Sequence, residues 1–159
     1  MFYRAATAAV ERDMILLNSS DHGASFAARP LDPWRIGICP MSSVSLAEAG
    51  REVVAAWETD GQVKFVKIDP EGKSLSSPIS PPGPAKGRKH PAVAANAEGE
   101  IILVWTEGTG WQKGGKLAWQ VFDPSSRPTE QKGTIEGGVP VWGLATAVAT
   151  PDGGFVVIR

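Results

Sequence analysis

VAANAEGEIILVW, residues 93–105, reads as an apolar strand, a tight turn ending in glycine, and a second strand rich in branched residues. The pattern occurs twice more, as VSLAEAGREVVAAW at 44–57 and as ATAVATPDGGFVVI at 145–158. The turn glycines Gly50, Gly99 and Gly153 stand 49 and 54 residues apart, which defines a repeat of about 50. Tips such as Glu98-Gly99 and Asp152-Gly153 supply the positive φ that a tight hairpin needs. Each copy therefore closes two antiparallel strands, A and B of one repeat.

Downstream of each B strand comes a polar loop and a third apolar stretch, VKFVKIDPEGK at 63–73 and KLAWQVFDPSSR at 116–127. These are the C strands. Asp69-Pro70 and Asp123-Pro124 start the turns after them, because an aspartate bonds nearby amides and proline presets φ. Short D strands follow around 76–79 and 131–135. The same register at the start of the chain gives the end of a B strand at 2–6, a C strand at 13–18 and a D strand at 25–29. Four short strands in a repeat of this length are the texture of a propeller blade. The expectation is an all-β propeller of four-stranded blades, about three per chain, in one domain spanning 1–159.

Composition agrees and excludes several functions. Eighteen glycines and thirteen prolines in 159 residues imply many turns, and 42% apolar content supports a real core. A net charge of −1 with interspersed signs gives no footprint for nucleic acid or an anionic membrane. Lys86, Arg88, Lys89 and His90 form one basic cluster, read as a solvated loop. Cys39 is the sole cysteine and is expected as a small buried packing residue. With only His22 and His90 beside it there is no zinc-ligand spacing, so neither metal nor other cofactor is expected. No apolar run approaches the ~20 residues of a helical span, and Glu11 and Asp13 interrupt the one candidate leader segment.

One segment is more specific. SSDHGASF, residues 19–26, fits S-x-D-x-G-x-[S/T]-[W/F] and falls between a C and a D strand. With the flanking RDMILLNSSDHGASF and WRIGICPM, it resembles the Asp box of the bacterial sialidase-like, BNR-repeat propellers. The chemistry of the box is structural: Asp21 and the hydroxyls of Ser19 and Ser25 bond turn amides, Gly23 relieves φ, and Phe26 packs between elements. The other two C-to-D turns lack the full motif.

Because blade strands alternate in direction, the B-to-C and D-to-A loops share one face, the face the resemblance implies for ligands. The loops are 4–12, 34–41, 58–62, 80–90, 106–115 and 136–142. They carry Arg12, Asp60 and six candidate ligand contacts: Arg4, Trp34, Arg35, Arg88, Trp111 and Trp142. Guanidinium forks match carboxylates and indoles lie on sugar faces, which suits a glycan or a small acid. Trp57 and Trp105, at equivalent points of the repeat, are expected to pack between blades. Sialidases of the resembling family use three arginines, a tyrosine paired with a glutamate, and an acidic aspartate. Here Tyr3 is the one tyrosine, no F-R-I-P segment occurs, and Tyr3 with Glu58 or Glu107 is the candidate catalytic pair.

The expected function is a non-catalytic propeller binding a glycan, a small acidic ligand or a protein. The alternatives are a sialidase-like glycoside hydrolase and a piece of a larger propeller without a function of its own. Two chains are expected to close one six-bladed ring as a homodimer, the C-terminal strand of one pairing beside residues 13–18 of the other.

Overall fold

The computed structural model describes residues 1–41, 43–69 and 71–159, and among them every regular element is a β-strand. Pro70, half of the expected Asp69-Pro70 turn, lies outside the described residues. The chain divides into two compact units, Met1–Met41 and Ser42–Arg159.

The first unit is one antiparallel sheet of β1 (Phe2–Ala8), β2 (Glu11–Asn18) and β3 (Ala27–Asp32), in that order. Phe2, Met14, Ile15 and Leu16 are its buried residues. β1 runs to Ala8, two residues beyond the strand expected over 2–6. Only Ala9 and Val10 separate it from β2, so Arg4 and Arg12 are strand residues where a loop over 4–12 was expected, while Tyr3 lies in the strand expected over 2–6. The assembly expectation needs correcting too. β2 is bonded by β1 on one side and β3 on the other, so a partner's strand cannot join it; β1 is the end strand. Cys39 is exposed, not buried, because it lies beyond the Glu11–Arg35 bridge in a stretch that belongs to no strand.

The second unit contains the repeats as drawn from the sequence. β4 (Val44–Ala49), β5 (Glu52–Thr59) and β6 (Gln62–Ile68) form a sheet, completed by isolated bridges from Leu75 to Ile68 and from Ile79 to Phe65. β7 (Arg88–Ala95), β8 (Ile101–Glu107), β9 (Gly115–Phe122) and β10 (Pro128–Val139) form a complete four-stranded blade. β11 (Thr146–Ala149) and β12 (Phe155–Ile158) are the A and B strands of the next.

The apolar run Ile101 to Trp105 does not alternate in character because β8 is covered on both faces. Ile101, Leu103 and Trp105 pack with Val54, Phe65 and Phe122 on one side, while Ile102 and Val104 pack with Leu117, Val121 and Ala147 on the other. Phe65 meets Phe122 edge to face at 4.9 Å. Trp105 thus packs between blades as expected, and Trp57 is fully buried.

β10 is twelve residues long, against the five expected. Its glycines look like turn residues in sequence but serve the strand. A Cβ on Gly133 would lie 2.2 Å from the Trp119 ring, so glycine lets that indole lie across the backbone, and Gly137, at φ 60°, sits in the bulge between Ile135 and Val139. Beside β12, a groove of about 560 Å³ opens over Trp119, Val121, Ile135, Phe155 and Val157.

Candidate functional site

One end of the second unit collects the β5–β6 turn, residues 80–87, the β8–β9 loop and the β10–β11 loop. Asp60 and Gly61 both have positive φ, 53° and 70°, so β5 and β6 are joined by a two-residue hairpin and Glu58 belongs to the strand. The loops lie directly on one another: the Arg88 amide donates to Gly61 O at 3.0 Å, and the Gly108 amide to Gly87 O at 3.0 Å.

Arg88 is not in a solvated loop; it starts β7 and is 5% exposed. The backbone bonds just described fix its Cα between two hairpins, and its guanidinium turns inward. Nη1 donates to Pro81 O at 2.9 Å and Gln62 Oε1 at 3.2 Å, Nη2 to Pro82 O at 2.7 Å, and Nε to Glu107 Oε1 at 3.3 Å. The guanidinium also lies 5.1 Å from the Trp105 ring, whose Nε1–H donates to the same Glu107 oxygen at 2.8 Å. Arg88, Glu107 and Trp105 form one knot centred on Glu107 Oε1. Of the candidate catalytic residues, Glu107 is held in this knot and Glu58 is buried in β5 opposite Val63.

Trp111 and Trp142 are presented instead. They are 73% and 58% exposed, and their rings stand 4.6 Å apart at 87°. Each sits at the tip of a tight turn. Gly110 and Lys113 exchange both backbone bonds at 3.1 Å around Trp111 and Gln112. The Gly143 amide donates to Pro140 O at 2.9 Å around Val141 and Trp142. Trp142 has φ 65° at the third position of its turn, where glycine or asparagine normally sits. Gly114 lets the two loops approach and Gly143 lets the Trp142 turn close on Pro140, and sequence reasoning missed both. A Cβ on Gly114 would meet Val139 O at 2.4 Å, and one on Gly143 would meet Pro140 Cδ at 2.7 Å. The Pro140-to-Gly143 spacing was the available signal.

In the first unit Arg4 lies over the Trp34 ring at 4.8 Å and donates to Arg12 O at 2.6 Å. Arg35 is paired with Glu11 at 3.6 Å, and Tyr3 is 39% exposed in β1 opposite Ile15. The structure therefore brings together Arg4 with Trp34, Trp111 with Trp142, and Arg88 with Glu107. Tyr3 lies in the first unit and Glu58 and Glu107 in the second.

The C-to-D turns are organised by their aspartates. Asp21 Oδ1 accepts the Ser19 hydroxyl at 2.8 Å and the Ser25 amide at 2.9 Å, Oδ2 accepts the Ser25 hydroxyl at 2.5 Å, and Ser19 Oγ accepts the Gly23 amide at 2.8 Å. These bonds, those from Ser25 foremost, hold the Asp21 carboxyl down at about 2. Asp69, bonded by the Glu71, Lys73 and Ser74 amides, is likewise lowered to about 2, with Ser74 the main cause. Asp123 accepts the Arg127 amide at 2.9 Å in the third turn. Phe26 departs from expectation: it is 49% exposed, and its ring folds over its own turn near Gly23 rather than between elements.

No family model matches the sequence, and no curated protein matches it. Solved structures do. An α-L-arabinanase from Penicillium chrysogenum, complexed with arabinobiose, matches with a TM-score of 0.57 at 15% identity, covering 96% of this chain and 50% of that one. A mutant of NanB sialidase from Streptococcus pneumoniae matches with a TM-score of 0.57 at 16% identity, covering 92% of this chain and 23% of that one. An α-L-arabinofuranosidase from Fusarium graminearum, with an iminosugar inhibitor, matches with a TM-score of 0.57 at 15% identity, covering 96% of this chain and 50% of that one. At such identities the likeness is one of fold: the chain has the β-propeller fold that these glycoside hydrolases share. It spans half or less of the length of each.

Proposed function

We propose that this chain is a propeller of the Asp-box kind that binds a glycan on the loop-rich end of its second unit without hydrolysing it. The observation that carries the reading is the exposed Trp111–Trp142 pair, held at two turn tips where a sugar's C–H face can lie on an indole. Two further observations support it. Glu107 Oε1 already accepts from both Arg88 and Trp105, which commits that oxygen to the knot and not to a substrate. The Asp21 turn has the hydroxyl and amide bonding that the Asp box requires. Glycoside hydrolases among the fold neighbours make a sugar the natural ligand class to test first.

A glycan array followed by titration calorimetry tests binding, and fluorogenic sialoside and arabinofuranoside assays test turnover. Binding with no turnover is the expected outcome. Turnover abolished by Glu107→Gln or Tyr3→Phe would replace the reading with the hydrolase one. An array without hits would remove it.

Assembly through strand addition belongs to the same proposal, now between the sheet-end strands β1 and β12 of two copies. Light scattering coupled to size exclusion tests it. A monodisperse monomer at micromolar concentration would defeat it.

A further inference from the structure

The geometry points to the end of a neutral saccharide chain, rather than an acidic sugar, as the ligand of the Trp111–Trp142 corner. This rests on the carbohydrate reading above and adds to it the charge and the attachment of the ligand.

The first argument is shape. Two indoles at 87° and 4.6 Å make a corner and not a flat platform. A sugar ring lying on one indole abuts the other, so a saccharide chain can leave in one direction only. Coplanar indoles would instead support an internal stretch of chain.

Charge gives the second argument. An acidic sugar is best held by a guanidinium fork with free N–H groups. At this end of the second unit Arg88 is buried and directs its N–H groups to Glu107, Gln62, Pro81 and Pro82, while Arg159 is exposed and tied to the β10 backbone through Nη1 alone, which donates to Gly138 O at 3.0 Å. Lys116 is neutralised by Glu136 at 2.7 Å. Lys113, two residues from Trp111, and Lys86, in the segment 80–87, are exposed ammoniums and give only point charges. The indoles therefore supply the recognition surface and the hydroxyls of the ligand do not need a counter-charge.

The third is backbone cost. Trp142 holds φ 65° in a turn whose third position favours glycine, a left-handed conformation that strains an L residue. Its side chain gains little burial in return, since it is 58% exposed. The indole packs edge to face on Trp111 yet leaves more than half of its surface open, and a ligand on that surface accounts for an indole at this position.

Trp142→Gly separates these roles, because it relaxes the turn while deleting the indole. The full-length chain, Trp142→Gly, Trp111→Ala and Lys113→Ala are titrated by calorimetry with lactose, cellotriose, arabinotriose and sialyllactose, and each variant is unfolded in urea. The expected result is binding of at least one neutral saccharide, weakened roughly tenfold or more by each tryptophan variant and little changed by Lys113→Ala. The urea midpoint of Trp142→Gly should equal or exceed that of the parent. Preference for sialyllactose over lactose, lost in Lys113→Ala, would overturn the neutral-ligand inference and leave the carbohydrate reading standing. Neutral binding that survives both tryptophan variants would place the site elsewhere. Absence of binding by every saccharide here and on the array would remove both readings. If Trp142→Gly fails to fold, the strain argument falls, and Trp111→Ala still decides the corner.

Discussion

The knot of Arg88, Glu107 and Trp105 and the corner of Trp111 and Trp142 use similar residue types at the same end of one unit, yet their exposure is opposite. Arg88 and Trp105 are each 5% exposed, whereas Trp111 is 73% exposed. In the knot the Arg88 guanidinium, the Trp105 Nε1–H and Glu107 Oε1 all have partners within the protein; in the corner the aromatic surface faces outward on strained turns. The difference teaches that arginine and tryptophan content near a loop face does not by itself mark a site. What marks it is recognition surface that the fold has not already consumed.

Breaking the knot should have the largest effect. Arg88→Ala takes away one of the two donors to Glu107 Oε1 and the guanidinium donor to Gln62 Oε1 and to two prolyl carbonyls, and should cost about 3 kcal/mol in chemical denaturation. Arg88→Lys should recover only part of that, because one ammonium cannot reproduce the fork. A loss below about 0.5 kcal/mol for Arg88→Ala would show that the knot is not structural.

Gly114→Ala attacks the corner through its backbone. The added methyl meets Val139 O at 2.4 Å, so the two loops must separate, at a cost of about 1–3 kcal/mol and with weakened saccharide binding. Unchanged binding would mean that the spacing of the tips is immaterial.

A smaller effect belongs to Trp105→Phe, which keeps most of the packing and removes the Nε1–H that Glu107 accepts. About 1 kcal/mol of stability should be lost, with saccharide affinity unaltered. A change in affinity would mean the knot and the corner are coupled.

The smallest effect is expected in acid, at the aspartate turns, where charge is satisfied as in the knot but in full contact with solvent. Asp21 and Asp69 are held at about 2 against an ordinary 3.8, so their ionised turns favour the folded state. That contribution is complete above about pH 4 and is lost as pH falls through about 2. A carboxyl-carbon NMR titration should show both midpoints well below the ordinary aspartate value; midpoints near 3.8 would contradict the bonding seen in the turns.

The blades were legible because hairpin signals and strand patterns act locally. The repeats around Gly50, Gly99 and Gly153 are strand pairs β4–β5, β7–β8 and β11–β12 as read. Strand ends were harder to place. Asp60-Gly61 is a strong two-residue hairpin signal that the repeat pattern overshadowed, so the strand residue Glu58 was assigned to a loop. The length of β10 was hidden because Gly133 and Gly137 answer to Trp119 and to a bulge, which are tertiary facts. The site was legible by type but not by state. Nothing local distinguishes Arg88, which turns inward against residues up to 26 positions away, from an arginine that stays in solvent. Trp111 and Trp142, 31 positions apart, meet only because two loops are packed through Gly114.

The central claim, that the fold consumes one aromatic set and presents the other, is tested most directly by the indole N–H signals of the six tryptophans in a nitrogen-15 correlation spectrum. After assignment by single substitution, a neutral saccharide is added to the concentration at which calorimetry shows saturation. The account predicts that Trp111 and Trp142 shift while Trp57 and Trp105 stay in place. Saturation with unmoved Trp111 and Trp142 signals, or with shifts confined to Trp57 and Trp105, would contradict it.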